Sequence, residues 1–341
     1  MRPPQAEDRI ANFLLEELLG TGSFGQVWKA RHFLPGVNRV VAIKIPTNPQ
    51  YVRQLQREGL TTFGLDHPGI IQPLDLDPYN DPPYLIMEFI DGPSLRQVID
   101  AHPNGLEISR ARIIFRAILE ALRAAHAADV VHGDVKPANV LIAGGSDLDR
   151  LRLEHVKLTD FGLGKVRDNV LATILQSGTF EPETQKKFGG TLAYMAPEQR
   201  DAGRADQRSD LYSAGVVLFE MLTGVRPQGG DLPGQIRPGI PAYLDEIFRS
   251  CYTSAERRVE SAEKLLAELG HTARAGDELH HGACPRCSGP IDSQDQFCIH
   301  CGQQLVDVIP RCPSCRGFVN ANDRYCVFCG ADVHRSAGAV E

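Results

Sequence analysis

VVHGDVKPANVLI, at residues 130–142, and HVKLTDFG, at residues 155–162, carry the strongest structural signal in the chain. In both stretches short apolar runs alternate with polar clusters, which contain Asp134, Lys136 and Asp160. That alternation is typical of loops supported by short strands. Because catalytic and binding side chains tend to lie on such loops, we expect the chemistry of the protein to be located here.

The flanking sequence predicts two lobes of different composition. Residues 13–90 read as strands around one polar helix near 49–64, with FLLEELLG, QVWKAR, RVVAIKI and YLIMEFI as the strands. Over residues 91–270 the apolar period becomes helical, most clearly in ARIIFRAILEALRAAHAA and DLYSAGVVLFEMLTG. We therefore expect an α+β fold with a small sheet-rich lobe and a larger helical lobe.

Three glycines, Gly20, Gly22 and Gly25, lie in GTGSFGQV between two predicted strands. Glycine lets a backbone turn tightly and bring its N–H groups close to phosphate oxygens. The same GxGxxG spacing occurs in dinucleotide-binding folds, but there it opens a helix, whereas here QVWKA continues as a strand. The strand context excludes the dinucleotide-binding interpretation.

The motif VAIK, which ends at Lys44, follows these glycines, and HGDVKPANV and TDFG come later in the chain. With these motifs in this order, the chain resembles the protein kinase family. The resemblance implies a two-lobed kinase fold and in-line transfer of the γ-phosphoryl group of ATP to a protein substrate. Lys136, two residues after Asp134, implies serine or threonine acceptors, with tyrosine as the lesser alternative.

The same resemblance assigns roles to the polar residues of the motifs. Asp134 would orient and deprotonate the acceptor hydroxyl, and Lys136 would offset charge on the transferred phosphoryl group. Asn139 and Asp160 would bind Mg²⁺ through hard oxygen atoms. The expected cofactors at this site are therefore ATP and Mg²⁺.

The remaining ATP-binding positions follow from registration against the family motifs. Lys44 would neutralise the α- and β-phosphates while Glu58, in the following helix, holds its ammonium group. The hinge would follow a gatekeeper at Met87. The positions implied for the glycine loop, the adenine pocket and the hinge are Gly20, Gly22, Gly25, Val27, Ala42, Glu88, Ile90 and Leu141.

Three further matches are structural rather than chemical. Glu198 of MAPE resembles one half of a buried ion pair that anchors the end of the activation segment. Its partner would be Arg258, with Arg257 as the alternative. Asp210 resembles the aspartate of the central helix that fixes the backbone of the catalytic loop.

The chain departs from the family pattern at Gly133, where the family commonly has an arginine that pairs with a phosphate on the activation loop. Without that arginine, a phosphate on the activation loop has no buried positive charge to neutralise at this position, so phosphorylation should contribute less to ordering that loop. We therefore expect an enzyme that is competent without phosphorylation. Thr191 matches a threonine that hydrogen-bonds the catalytic aspartate and lysine. The possible autophosphorylation sites are Thr173, Ser177, Thr179 and Thr184.

Near the C-terminus, ACPRCSGPIDSQDQFCIHCG and RCPSCRGFVNANDRYCVFCG form an internal repeat of CxxC pairs. Two such pairs place four thiolates at the corners of a tetrahedron that suits Zn²⁺. We expect two structural zinc ions, with disulfides and an iron centre as the alternatives. The ligands would be Cys284, Cys287, Cys298 and Cys301 for the first zinc, and Cys312, Cys315, Cys326 and Cys329 for the second.

Charge and composition restrict the partners of the protein. The formal net charge is -7, and residues 271–341 contain six Lys/Arg against eight Asp/Glu, which argues against nucleic acid as a ligand. No run approaches the roughly 18 apolar residues that span a bilayer, and MRPPQAEDRIAN lacks the apolar core of a signal peptide. Eight of the nine cysteines lie in CxxC pairs, which indicates metal binding in a reducing compartment. We expect a cytoplasmic protein with protein substrates, no membrane contact, and zinc ribbons that dock partners or regulate the kinase.

The remaining cysteine, Cys251, lies in the apolar stretch AYLDEIFRSCY and is expected to be a buried packing thiol. The expected organisation of the chain is an N-terminal tail (1–12), a kinase domain (13–270, with lobes 13–90 and 91–270), a linker (271–283), two zinc ribbons (284–305 and 312–333) and a C-terminal tail (334–341). A pseudokinase scaffold is the alternative function. The intact set of Lys44, Glu58, Asp134, Asn139 and Asp160 argues against it.

Overall fold

The computed structural model describes residues 3–22, 25–145, 148–161, 192–202, 205–276, 281–283, 286, 290–292, 301, 315 and 329. The chain divides into two compact units, Met1–His271 and Thr272–Glu341. In the part of the chain that the structure describes, no helix combines the length and the apolar character needed to cross a lipid bilayer.

A six-stranded antiparallel sheet forms the first lobe, in the order β1-β2-β3-β4-β6-β5. Its strands are β1 (Arg9–Ile10), β2 (Phe13–Thr21), β3 (Gly25–His32), β4 (Val40–Pro46), β5 (Pro73–Asp77) and β6 (Tyr84–Glu88). Helix α1 (Val52–Phe63) follows a short 3-10 turn and packs against β5 and β6. The helix and four of the strands, β2, β3, β4 and β6, are those that the sequence predicted, whereas β5 was not predicted.

Strand β4 is buried along almost its whole length because both faces of the sheet are covered. Side chains alternate between the faces of a strand. Val41, Ile43 and Ile45 therefore lie in one apolar cluster, while Ala42 lies in another cluster on the opposite face. Lys44 shares the parity of Ala42, which places its cation on the same side of the sheet as helix α1.

The sheet begins earlier than the sequence predicted. Arg9 and Ile10, expected to belong to an N-terminal tail, form β1 and pair with Leu14 and Phe13. Ile10 is buried in the apolar cluster that contains Phe13. A single apolar residue in a polar segment creates no periodicity, so its burial could not be predicted from the pattern.

The second lobe is helical and is built around one central helix. Its helices are α2 (Leu95–Asp100), α3 (Ile108–Ala127), α4 (Pro197–Ala202), α5 (Gln207–Thr223), α6 (Pro233–Ile236), α7 (Ala242–Cys251) and α8 (Ala262–Gly276). Every residue of α5 from Ser209 to Thr223 is buried, and both α3 and α7 pack against it. A small antiparallel hairpin, β7 (Val140–Ile142) and β8 (Val156–Leu158), carries the two polar loops.

Cys251 is fully buried at the end of α7, as predicted. Burial raises the pKa of its thiol to about 12, so the thiol stays protonated and unreactive. The side chain lies against Gly215 of α5, where an added Cβ would come within 2.4 Å of the Cys251 Cβ. The absence of a side chain at residue 215 therefore allows α5 and α7 to approach closely.

The second unit contains a short antiparallel pair, β9 (His281–Ala283) with β10 (Pro290–Asp292). Helix α8 continues to Gly276, so the segment predicted as a linker (271–283) begins as helix and ends as strand. Of the predicted zinc ligands, Cys301, Cys315 and Cys329 are described. Five lie outside the described residues: Cys284, Cys287, Cys298, Cys312 and Cys326. Among the described residues alone, no group of three His, Cys, Asp or Glu is placed to hold a metal.

An ion pair between Glu198 and Arg258 joins α4 to the loop before α8. Arg258 Nη2 donates to Glu198 Oε2 at 3.0 Å, and Nη1 donates to Oε1. The Arg258 side chain is 0% exposed, and its guanidinium also donates to backbone carbonyls of Arg208 and Thr253. The predicted pair is confirmed with Arg258, whereas Arg257 is exposed and, among the described residues, its side chain donates to nearby Ser254.

Replacing Arg258 with Met should lower the free energy of unfolding by about 3 kcal/mol, because it removes one partner of a buried, hydrogen-bonded ion pair. The neighbouring Arg257→Met is the matched control and should change the free energy by less than about 0.5 kcal/mol, since that side chain is exposed. Urea titrations of the intact chain followed by circular dichroism measure both values. Equal effects of the two substitutions would contradict the assignment of the pair.

Candidate active site

A cleft of about 700 Å³ opens between the sheet and the helical lobe. All the positions predicted for the adenine pocket and the hinge line it, together with the expected gatekeeper. These residues are Val27, Ala42, Met87, Glu88, Ile90 and Leu141. Gly20 and Asp160 also lie on its wall.

The other two predicted glycines close the turn after Gly20 rather than line the cleft. The N–H of Gly22 donates to the carbonyl of Gly25 at 2.8 Å. A Cβ at residue 25 would lie 2.4 Å from the carbonyl oxygen of Ile45 on β4. Gly25 is therefore required where β3 and β4 approach each other.

At the inner end of the site, Lys44 is held between two carboxylates from different parts of the fold. Its Nζ lies 2.7 Å from both Oε1 and Oε2 of Glu58 on α1, and 2.7 Å from Oδ1 of Asp160. Lys44 and Glu58 are 7% and 2% exposed. The cluster brings β4, α1 and the loop after β8 to one point.

Burial and charge act in opposite directions on these groups. Burial would lower the pKa of Lys44, but Asp160 and Glu58 outweigh it and hold the pKa above its ordinary value. Burial would raise the pKa of Asp160, but Lys44 holds it well below its ordinary value. Burial raises the pKa of Glu58, with Lys44 opposing the shift. Lys44 is therefore a permanent cation, and Asp160 a permanent anion.

Asp160 has a backbone φ of +65°, in the left-handed region that a residue other than glycine adopts at a cost of about 1–2 kcal/mol. The next residue, Phe161, is fully buried, and its ring lies 4.5 Å from the ring of His132. The buried phenylalanine fixes one side of Asp160, and Lys44 fixes its carboxylate. Backbone strain of this kind is common at functional sites, where a side chain must take one particular orientation.

The loop before β7 carries the second polar cluster. Asp134 is 6% exposed, and its Oδ2 lies 2.8 Å from Lys136 Nζ. Asn139 Nδ2 donates to both the backbone carbonyl and Oδ2 of Asp134, each at 2.9 Å. The side chains of Lys136 and Asn139 therefore hold the carboxyl group of Asp134 in position.

Asp210, in the first turn of α5, fixes the backbone of this loop as predicted. Its carboxylate accepts from the N–H of His132 at 2.9 Å and from the N–H of Gly133 at 2.7 Å. His126 Nε2 lies 2.8 Å from the same carboxylate. Since Asp210 is 1% exposed, these donors replace the water that the buried carboxylate has lost.

Gly133 has a φ of +73°, a conformation that glycine adopts without a Cβ penalty. Its carbonyl accepts from Gln199 Nε2 at 3.0 Å, and Gln199 is itself buried. The position that the family gives to an arginine is therefore stabilised here by backbone hydrogen bonds to Asp210 and Gln199. Gln199 was not predicted, since nothing in MAPEQR sets it apart from a surface residue.

His132 connects the two polar loops. Its Nε2 lies 2.9 Å from the carbonyl of Thr159, and its Nδ1 lies 3.2 Å from the N–H of Asp134. A carbonyl can only accept and an N–H can only donate, so the ring is the neutral tautomer with its proton on Nε2. Burial lowers the pKa of His132, which favours the same neutral form.

A second interaction missed by the sequence lies behind the hinge. Lys157 on β8 donates to Oε1 and Oε2 of Glu88 at 2.8 and 3.1 Å. Thus Glu88 lines the cleft while its carboxylate is bound within the protein. A lysine in HVKLTDFG has no distinguishing spacing, so the pair becomes apparent only when the fold brings β8 beside the end of β6.

Several predicted residues lie outside the described residues. They are the hydroxyl residues Thr173, Ser177, Thr179, Thr184 and Thr191.

The side-chain oxygen atoms of Asp160 and Asn139 are of the kind that binds a hard cation. The pKa of Asp160 is depressed, so its carboxylate is ionised, and the amide nitrogen of Asn139 is occupied by Asp134. The amide oxygen of Asn139 is thereby turned away from Asp134. A carboxylate and an amide oxygen are ligands that Mg²⁺ accepts.

Comparison with known proteins gives a consistent result. Residues 13–269 match the family described as the protein kinase domain, and residues 284–330 match the double zinc ribbon. A probable serine/threonine-protein kinase of Clostridium perfringens is 34% identical over 75% of this chain and 37% of its own length. The serine/threonine-protein kinase PrkC of Bacillus subtilis is 31% identical over 77% of this chain and 40% of its own length.

The serine/threonine-protein kinase PknB of Mycobacterium tuberculosis is 30% identical over 78% of this chain, and this chain covers 43% of PknB. The matched region is thus less than half the length of these curated relatives. Among solved structures, the kinase domain of Mycobacterium tuberculosis PknI superposes with a TM-score of 0.59 at 23% identity. The match covers 79% of this chain and 100% of the PknI domain, and it confirms the fold.

The neutral state of His132 predicts a pH-dependent stability. The pKa of His132 in the folded chain lies below its ordinary value of 6.5. Below about pH 6.5 the unfolded chain therefore binds a proton at His132 that the folded chain does not bind. The contribution of neutral His132 to the free energy of unfolding is therefore complete above about pH 6.5. Below that pH the free energy of unfolding decreases by up to about 1.4 kcal/mol per pH unit. Urea titrations from pH 7.5 to pH 5 measure this slope.

His132→Gln removes the titrating group and should flatten the slope, whatever its effect on stability at pH 7.5. An unchanged slope in that variant would show that other groups cause the acid sensitivity.

Proposed function

Because this chain belongs to the protein kinase family, we propose that it transfers the γ-phosphoryl group of ATP to serine or threonine hydroxyls of proteins. The observation that carries the proposal is the complete polar constellation beside one cleft. Lys44 is bonded to both Glu58 and Asp160, and Asp134 is held by Lys136 and Asn139. The names of the relatives, which print serine/threonine-protein kinase, support the substrate class.

Each residue of the constellation has a specific task in this mechanism. The apolar walls at Val27, Ala42 and Leu141 would enclose the adenine, with the backbone of the hinge at its edge. The fixed ammonium of Lys44 would bind the α- and β-phosphate oxygens, since its position is set before nucleotide arrives. The loop at Gly20, Gly22 and Gly25 would cover the phosphates.

At the reacting end, Asp134 would accept the hydroxyl proton as the oxygen of the acceptor forms its bond to the γ-phosphorus. The bond from the γ-phosphorus to the β-phosphate oxygen breaks, and ADP leaves with that electron pair. Lys136 would offset the charge on the transferred group. Asn139 and Asp160 would hold Mg²⁺, which supplies neutralisation of phosphate charge when bound.

A pseudokinase scaffold, which binds nucleotide and partners without turnover, is the second candidate. Its supporting observation is Gly133, which departs from the family pattern at the catalytic loop. Against it, Gly133 and its neighbour His132 are hydrogen-bonded to Asp210, so the catalytic loop is held in place without an arginine. We therefore favour an active kinase, and we infer from the missing arginine at residue 133 that activity does not require phosphorylation of the activation loop.

Asp134→Asn should lower phosphoryl transfer by about 10²–10⁴-fold, because it removes the proton acceptor while keeping the shape of the side chain. Transfer from γ-labelled ATP with Mg²⁺ to a generic protein substrate, and to the chain itself, measures the effect. Asp129→Asn is the matched control: Asp129 is exposed and has a φ of +57°, which asparagine tolerates. Negligible transfer by the wild type together with measurable ATP binding would favour the scaffold.

For the second unit we propose two structural zinc ions, one in each CxxC repeat, and a role in docking partners or regulating the kinase. The match to the double zinc ribbon and the eight cysteines support it. Each repeat is too short to fold on its apolar residues alone, and zinc binding supplies on the order of 10–16 kcal/mol in comparable peptides. Thiolate ligands require a reducing compartment, which supports a cytoplasmic location.

The purified chain should contain two zinc ions, and Cys301→Ser or Cys329→Ser should each reduce the content by about one, because each removes a ligand from a different site. Mass spectrometry of the metal content measures this, with Cys251→Ala as the control that leaves both sites intact. Full zinc content in both serine variants would contradict the ligand assignment. Deleting residues 272–341 and comparing transfer with partner capture separates a regulatory role from a docking role.

A further inference from the structure

Glu88 ends strand β6 where the chain passes along the cleft, and its carboxylate makes three hydrogen bonds within the protein. Oε1 accepts from the backbone N–H of Gln72 at 2.9 Å and from Lys157 Nζ at 2.8 Å. Oε2 accepts from Lys157 Nζ at 3.1 Å. With side chains only 27% and 15% exposed, the Glu88–Lys157 pair is less screened by solvent than a surface ion pair.

Gln72 extends this connection to the segment that follows α1. Its backbone carbonyl accepts from the N–H of Glu88 at 2.9 Å. Its side-chain Nε2 donates to the carbonyls of Leu65 at 3.3 Å and Ile70 at 3.2 Å. The residues after α1 are therefore attached to the same point as the hinge, and α1 is the helix that carries Glu58.

Lys157 lies on β8, three positions before Asp160. The backbone of the next residue, Leu158, donates to the carbonyl of Gly69 at 2.8 Å and accepts from Ile71 at 3.0 Å. These bonds fix β8 to the segment after α1, while the Lys157 side chain fixes β8 to the end of β6. These hydrogen bonds therefore link three parts of the fold to one another: the hinge, the segment after α1, and the strand that leads to Asp160.

We propose that the Glu88–Lys157 ion pair is a positioning element of the nucleotide site, which holds β8, and hence Asp160, in register with the hinge backbone. The proposal rests on the proposed function, because it assumes that adenine lies at the hinge and the phosphates near Asp160. Lys157 acts through Asp160 and needs no contact with nucleotide. Its loss should therefore affect binding at the phosphate end and spare the adenine end.

Calorimetric titration of the intact chain with MgATP and with adenosine tests this separation. Lys157→Met should weaken MgATP binding on the order of tenfold, because it breaks a coupled ion-pair network and leaves the Glu88 carboxylate without its cation. Adenosine binding should change by less than about twofold, since Gln72 still holds Glu88 at the hinge and adenosine has no phosphate to meet Asp160. Lys157→Arg keeps the cation and should restore MgATP binding to within about threefold of the wild type.

Two further variants define the comparison. Arg123→Met removes the cation of a 2.8 Å pair with Glu120 on the outer face of α3 and should leave both affinities unchanged. Glu88→Gln keeps an acceptor for Gln72 and Lys157 but loses the charge, so it should show a smaller loss in the same direction. It also provides a test if Lys157→Met does not fold.

Equal losses for MgATP and adenosine would overturn the proposal, because they would indicate general damage to the cleft. Wild-type MgATP affinity in Lys157→Met would overturn it as well. Neither readout depends on turnover: a wild type that binds MgATP and adenosine but transfers no phosphate would refute the proposed function and leave this test intact. In an active enzyme the kinetic counterpart is a higher KM for ATP together with a lower kcat.

Discussion

The arrangement of this site depends on one buried cation. An ammonium group that is almost removed from water is tolerated only where charged or hydrogen-bonding groups replace its hydration, and Lys44 has two carboxyl groups, those of Glu58 and Asp160, at 2.7 Å. Because Glu58 and Asp160 come from a helix and from a distant loop, satisfying Lys44 requires both elements to be in place. The position of α1 and the position of the loop after β8 are therefore consequences of the same electrostatic requirement.

Asp210 imposes the corresponding requirement in the helical lobe. Its carboxylate lies in the first turn of a helix whose following residues are all buried, so the loop that it holds is attached directly to the core of the lobe. Gly133 fits this arrangement through its backbone alone. The order of the catalytic loop thus derives from the core, and His132 and Phe161 transmit that order to the loop that carries Asp160.

The parts of the structure that were predictable from the sequence are those with a period or a fixed motif spacing. The family motifs predicted the contact between Lys44 and Glu58, and they placed Asp134, Lys136 and Asn139 together on one loop. The short β1 was not predictable, because one apolar residue creates no pattern. Arg258 was preferred to Arg257 through the resemblance alone, since adjacent arginines look alike in the sequence. The Glu88–Lys157 pair joins strands that are distant in the sequence and belong to different sheets, which local composition does not reveal.

The contact between Gly215 and Cys251 limits how this sequence can change over evolutionary time. Any side chain at residue 215 meets the Cβ of Cys251, so a substitution there is tolerated only after the facing helix has already changed. Because every residue except glycine has a Cβ, replacing Cys251 by another residue leaves this contact in place. Related chains with the same helix spacing should therefore keep glycine at residue 215 while the residue that faces it varies, although neither position takes part in the proposed chemistry.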